Sequence, residues 1–118
     1  MNKIPEDFKI ASLEGELISQ IAYGINYISI FFDKGFIQIE GRFKLINRNI
    51  HAEYDELYPV NHDFGLLLLL EKKISKVIIN KDRDRLALLF NMDLSLEIIS
   101  DKEYESFRIS ISGNEYII

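Results

Sequence analysis

The chain has 118 residues, a formal charge of −5 and no cysteine. This length fits one domain with its own core, and 47% apolar with 28% charged residues is typical of a folded protein. The lack of cysteine excludes disulfides, thiolate nucleophiles and cysteine-ligated zinc. The acidic charge argues against nucleic-acid binding and favours a cationic partner.

The N-terminal segment turns acidic at Glu6 and Asp7 before any apolar run begins, so we expect no signal peptide. The leucine run at residues 66–70 is far shorter than the about 20 residues that cross a bilayer. These features predict a soluble, cytoplasmic protein that makes no membrane contact.

Internal similarity is the strongest signal in the sequence. Three stretches of the first half match three of the second half in order: residues 13–21 with 69–77, 28–32 with 86–90, and 37–40 with 94–97. Matches at a nearly constant spacing indicate an internal repeat. We predict one domain, residues 1–118, with repeats at about 13–45 and 69–100 and a connector with a helix at about 46–73.

In the first repeat, apolar and polar residues alternate over 28–32 and over 37–40, as in half-buried strands. Asp33 and Lys34 precede Gly35, and glycine accepts the positive φ that tight hairpin turns require. We therefore predict a hairpin that turns at residues 33–35. Such short turns join antiparallel strands.

The connector carries the predicted helix, at residues 63–73, with Asn61 or Asp63 as its N-cap and lysines in its last turn. Five consecutive leucines cover the whole circumference of a helix, so this one is expected to be buried on more than one side. A helix that plugs the open side of a curved sheet explains the run. A dimer or partner surface is the alternative.

The second repeat predicts strands at residues 74–79, 86–90 and 94–98, and the alternation over 107–111 predicts another. A turn at Gly113 and Asn114 leads to an edge strand that ends the chain. The predicted fold class is therefore α+β. It consists of an antiparallel meander of about eight strands in a curved sheet, open barrel or sandwich, with one buried leucine-rich helix.

No catalytic motif emerges from the sequence. His51 and His62 lack the i, i+4 spacing of a helical metal site. With Glu53, Asp55 and Asp63 nearby a metal site is conceivable, and exposed loop histidines are the simpler interpretation. Residues 49–71 contain no lysine or arginine that would hold a phosphate. We predict no catalytic residue, no metal and no cofactor.

Two acidic stretches that contain tyrosines suggest a binding surface, although ordinary hydrophilic loops would have the same composition. Tyrosine gives rigid contact area at interfaces, and carboxylates steer a basic partner. The predicted partner-binding residues are Glu53, Tyr54, Asp55, Glu56 and Tyr58 in the connector, and Asp101, Glu103 and Tyr104 near the C-terminus.

Three segments resemble a family of small bacterial proteins of unknown function: residues 13–15, residues 32–40, and Tyr104-Glu105-Ser106-Phe107. Proteins of this type in part serve as immunity proteins against polymorphic or contact-dependent toxins. The resemblance covers most of the chain from Leu13 onward and implies no catalytic residues. The second repeat departs from the pattern at Asp93, where the turn is expected to carry glycine.

The resemblance and the acidic stretches together lead to the expectation of an immunity protein that is not an enzyme. It would bind a basic cognate toxin domain, with a nuclease as the favoured class, and occlude its active site. The alternative is a small-molecule-binding or regulatory domain. In that case Tyr23, Phe31 and Phe36 would line a cavity in the curved sheet.

Overall fold

Two five-stranded antiparallel sheets form the protein in the computed structural model, which describes residues 3–48, 50–55, 59, 60, 62–91, 93–101 and 105–118. The described residues contain ten strands: β1 (Gln20–Tyr23), β2 (Ile28–Phe32), β3 (Gly35–Ile39), β4 (Phe43–Asn47), β5 (Ile50–Tyr54), β6 (Lys76–Ile79), β7 (Arg85–Asn91), β8 (Leu94–Ile99), β9 (Phe107–Ile111) and β10 (Asn114–Ile117). Sheet 1 has the order β1-β2-β3-β9-β10, and sheet 2 has the order β5-β4-β8-β7-β6.

Alternating side chains explain why these segments are strands. In β9 the residues Phe107, Ile109 and Ile111 are buried while the two residues between them are half-buried on the other face. In β7 the residues Leu86 and Leu88 follow the same rule. Since successive side chains of a strand point to opposite faces, each strand contributes one apolar row. The inner rows of both sheets join in one hydrophobic core.

Two crossovers exchange hairpins between the sheets. After β3 the chain leaves sheet 1 and forms the hairpin of β4 and β5, of which β4 pairs with β8 in sheet 2. After β8 the chain leaves sheet 2 and forms the hairpin of β9 and β10, of which β9 pairs with β3 in sheet 1. Each sheet therefore combines three strands from one half of the chain with a hairpin from the other half.

The two halves contact each other through equivalent segments, residues 16–18 and residues 72–74, whose positions differ by 56. Leu17 forms an antiparallel bridge with Lys73. Around it, Ile18 N donates to Lys72 O at 2.9 Å, and Ile74 N donates to Glu16 O at 2.8 Å. The two bonds are equivalent, because Ile18 corresponds to Ile74 and Glu16 corresponds to Lys72. Duplication of one ancestral unit remains our interpretation of the sequence.

The predicted buried helix at residues 63–73 is wrong, and with it the α+β fold class. The segment contains only a four-residue 3-10 turn, Leu66–Leu69. Phe64, Gly65 and Glu71 have positive φ values of 56°, 77° and 67°, which a right-handed helix does not contain. Its last residues bond to the first half of the chain, since Glu71 N donates to Ile18 O at 2.9 Å. Tertiary pairing overrides the helical preference of the leucines.

The leucine run is also less buried than predicted. Leu66 and Leu69 lie in the core, whereas Leu67 and Leu68 are 49% and 43% exposed. The protein is thus nearly all β, and the predicted antiparallel strands are confirmed. The hairpin of β4 and β5 accounts for two strands beyond the predicted eight. β4 spans the predicted boundary between the first repeat (13–45) and the connector (46–73), and β5 lies in the connector. No helix in the described part of the chain is long and apolar enough to span a membrane.

Candidate partner-binding surface

The two predicted acidic segments begin at the same end of sheet 2. Tyr54, Phe43 and Ile98 lie side by side there, because β4 pairs with β5 on one side and with β8 on the other. Neighbouring strands are about 4.8 Å apart, so the ends of β5 and β8 are separated by about 10 Å. Asp55 follows the first end directly, and Asp101 lies shortly after the second.

The two crossovers touch at this same end and add further carboxylates. Glu40 N donates to Ser106 O at 2.7 Å, and Ile99 N donates to Arg42 O at 3.1 Å. The backbone N–H of Asp101 donates to the Ser106 hydroxyl oxygen. These bonds place Glu40, Asp101 and Glu105 at the end of sheet 2 where Asp55 follows β5. We call the region of these four carboxylates the acidic corner.

Two arginines partly neutralise the acidic corner. Arg108 forms ion pairs with Glu40 at 3.6 Å, with Glu105 at 3.3 Å and with Glu115 at 3.2 Å. Arg42 lies at the same end, and its charge acts on the neighbouring Glu53. Among the described residues the corner thus holds two arginines against its four carboxylates and keeps net negative charge. Asp55 is exposed and adds to that charge.

The predicted partner-binding residues have different surroundings. Asp55 is exposed and Asp101 is half-buried, and both belong to the acidic corner. Glu53 lies on the outer face of sheet 2, where its carboxylate pairs with Lys44 at 3.1 Å. Glu56, Tyr58, Glu103 and Tyr104 lie outside the described residues.

The hydrogen bond from Lys44, and the attraction between the two charges, hold the pKa of Glu53 below its usual range. Its charge is therefore already partnered within the sheet. Glu53 consequently contributes less to the attraction of a basic partner than Asp55 does.

Tyr54 is half-buried, and its ring packs against other aromatic rings of the protein. Its ring centroid lies 5.0 Å from that of Phe43 and 4.7 Å from that of Phe64. His62 extends this cluster on the exposed side, with its ring 3.9 Å from Phe64. The aromatic cluster fixes the end of β5, and Asp55 follows directly on this support.

The side chains proposed for a sheet cavity do not share a face. Phe31 and Phe36 pair across β2 and β3 on the outer face of sheet 1, with ring centroids 5.5 Å apart. Tyr23 pairs with the buried Ile28 on the inner face. Its hydroxyl donates to the Asp63 carbonyl oxygen at 3.0 Å.

Sequence reasoning did not select Glu40, Glu105 or Arg108 as site residues. Glu40 belongs to the first repeat and Arg108 to the C-terminal strands, so nothing in the linear order connects them. The only available signal was the excess of carboxylates at strand ends.

The chain matches no protein-family model, no curated protein and no solved structure. In the described parts of the chain, no group of three or more histidine, cysteine, aspartate or glutamate side chains is arranged to hold a metal ion. The two histidines illustrate this, since His51 lies along β5 while His62 packs against Phe64.

Proposed function

We propose that the protein is an immunity protein that neutralises a basic toxin domain through stoichiometric binding at the acidic corner. The observation that carries this proposal is the convergence of two acidic segments at one end of sheet 2. A nuclease is the favoured class of toxin, because a site that binds phosphates is basic and is complemented by carboxylates.

A rigid support makes the acidic corner suitable for binding. The carboxylates follow directly on paired strands and on crossovers joined by backbone hydrogen bonds. Preorganised groups lose little conformational freedom on association, so more of the contact free energy appears as affinity. The net charge of −5 would also accelerate encounter with a basic protein.

The neighbouring gene product supplies the test. Its C-terminal domain is expressed with this protein, and the complex is measured by size-exclusion chromatography and calorimetry. We expect a 1:1 complex whose affinity falls as the salt concentration rises. Asp55→Lys combined with Asp101→Lys should weaken binding by at least about tenfold, mainly through slower association.

Asp33→Lys is the matched control. Asp33 is an exposed carboxylate in the β2–β3 turn, at the end of sheet 1 away from the crossovers. Asp33→Lys changes the charge by the same amount as Asp55→Lys alone, so comparison of these two single variants separates local contact from net charge. Equal effects of Asp33→Lys and Asp55→Lys would show that the acidic corner is not the contact surface.

A further inference from the structure

A second surface lies at the other end of sheet 2. A groove of about 510 Å³ is formed there between the turns that follow β4 and β7 and the leucine run. Its lining residues are Asn47, Arg48, Leu68, Lys72, Asn91, Asp93 and Leu94. Since Asn47 and Leu94 lie at the opposite strand ends from Phe43 and Ile98, the groove is separate from the acidic corner.

The first half of the chain fills the equivalent position with its own carboxylate. Glu16 corresponds to Lys72 across the Leu17–Lys73 bridge. The Glu16 carboxylate accepts a hydrogen bond of 3.1 Å from Lys34 N, in the two-residue turn between β2 and β3. In the first half, a carboxylate therefore lies beside the β2–β3 turn and accepts a hydrogen bond from its backbone.

The second half lacks that carboxylate. Lys72 stands at the position of Glu16, and Asp93 N, in the turn between β7 and β8, donates to Asn91 Oδ1 at 2.9 Å. Arg48 contributes a second cation, which pairs with Asp93 at 2.8 Å. Among the residues that the structure describes, no carboxylate forms an ion pair with Lys72.

Apolar side chains border the groove. Leu68 lines it at 43% exposure, and the adjacent Leu67 is 49% exposed. Exposed leucines beside a cation provide contacts for a carboxylate that has an apolar neighbour. This apolar area extends past the groove, which fits a peptide segment better than a small acid.

We propose that this groove binds a glutamate or aspartate side chain of a partner protein, in a segment whose neighbouring apolar side chain packs on Leu67 and Leu68. The partner carboxylate lies beside Lys72, which supplies the opposite charge. The proposal is independent of the toxin proposal, because it concerns a different end of the molecule and a partner of opposite charge.

The test uses two capped peptides, acetyl-Ala-Leu-Glu-Leu-Ala-amide and the same peptide with glutamine in place of glutamate. Each is titrated into the ¹⁵N-labelled protein to about 10 mM, a range in which weak peptide contacts are detected. We expect the glutamate peptide to shift the amide resonances of Leu68, Lys72 and Asp93 and to bind at least about tenfold more tightly than the glutamine peptide.

Lys72→Glu is the decisive variant, because it reverses the charge that the proposal assigns to the groove and leaves the backbone bonds of Lys72 in place. It should keep the thermal stability and lose the peptide response. Lys81→Glu, an exposed lysine in the β6–β7 turn with the same change of charge, should keep that response.

Three outcomes would overturn the proposal. The first is no shift with either peptide, and the second is equal binding of the two peptides or of the two variants. The third is binding of hexanoate as tight as that of the glutamate peptide, which would assign the groove to small acids. None of these measurements involves the toxin domain, so failure here leaves the acidic corner to be judged by its own variants.

Discussion

Gly35 lies so close to Ser110 that a β-carbon at position 35 would be 1.8 Å from the Ser110 carbonyl oxygen. The two residues belong to β3 and β9, the strands through which the C-terminal hairpin joins sheet 1. Glycine is therefore required at position 35, because the backbones of β3 and β9 lie too close together for a β-carbon. The positive φ predicted for a turn glycine is absent, because Gly35 is already part of β3.

We expect Gly35→Ala to lower the free energy of unfolding by about 2–3 kcal/mol, because β9 must move away from β3. Urea denaturation measures this change. Gly41→Ala is the control, since the nearest atom to its added β-carbon is 3.4 Å away, and its cost should stay under about 1 kcal/mol. Similar losses for the two variants would contradict the role of close approach.

Glu71 has a φ of 67° at the position where the first half has Gly15 with a φ of 93°. A left-handed backbone is strained in residues with a β-carbon and relaxed in glycine. We expect Glu71→Gly to raise the free energy of unfolding by about 0.5–1 kcal/mol. Alanine also has a β-carbon, so Glu71→Ala keeps the backbone strain. An equal rise in the free energy of unfolding for Glu71→Ala would show that loss of the glutamate side chain causes the effect.

Adjacent leucines should differ strongly in their contribution to stability. Leu69→Ala removes a fully buried side chain, so we expect a loss of about 2–4 kcal/mol. Leu67→Ala should cost under about 1 kcal/mol, because Leu67 is 49% exposed. Chemical denaturation of both variants tests this contrast. Losses of similar size would indicate that the run is buried on all sides, as a packed helix would be.

Tyr23 should make the protein sensitive to alkaline pH. Burial, reinforced by the negative charge of Asp63, raises the pKa of Tyr23 above its ordinary value of 10.0. A raised pKa means that the neutral phenol stabilises the fold. This stabilisation is complete below the unfolded pKa and is lost as the pH rises through the folded pKa.

Unfolding free energies measured between pH 8 and pH 11 should therefore fall at the alkaline end, and less steeply in Tyr23→Phe. Tyr27→Phe, in the same β1–β2 connection, provides a matched substitution. An unchanged pH dependence in Tyr23→Phe would show that other groups cause the alkaline loss.

Arg108 should stabilise the fold chiefly through Glu40. Arg108 Nε and Glu40 Oε2 are both buried, lie 3.6 Å apart and have no hydrogen bond among the described residues. Arg108→Met should cost about 1 kcal/mol, because it leaves the Glu40 carboxylate without its cation. Addition of Glu40→Gln should recover part of the loss. A double-mutant cycle without coupling would contradict the pairing.

Much of the strand pattern could be predicted, because alternation is a local property. Ile28, Ile30, Ile37 and Ile39 have the periodicity of half-buried strands and occupy the core. The leucine run could not be interpreted in this way. Its five identical residues carry no periodicity, so the sequence does not distinguish the buried Leu66 and Leu69 from the exposed Leu67 and Leu68.

The acidic corner could be anticipated only in part. The excess of carboxylates near Asp55 and near Asp101 is visible in the sequence. Their proximity depends on the registers of β4 with β5 and β8, and Glu40 joins them through a crossover. Such long-range registers are set by the packing of the whole core, which no short segment encodes.

The exchange of hairpins between the sheets has a consequence for folding. Neither sheet can be completed by residues 3–55 or by residues 62–118 alone, because β3 needs β9 and β8 needs β4. The halves therefore cannot unfold one at a time, and the native state should be lost in a single cooperative step. A chain cut between β5 and β6 would have to reassemble from two mutually dependent fragments.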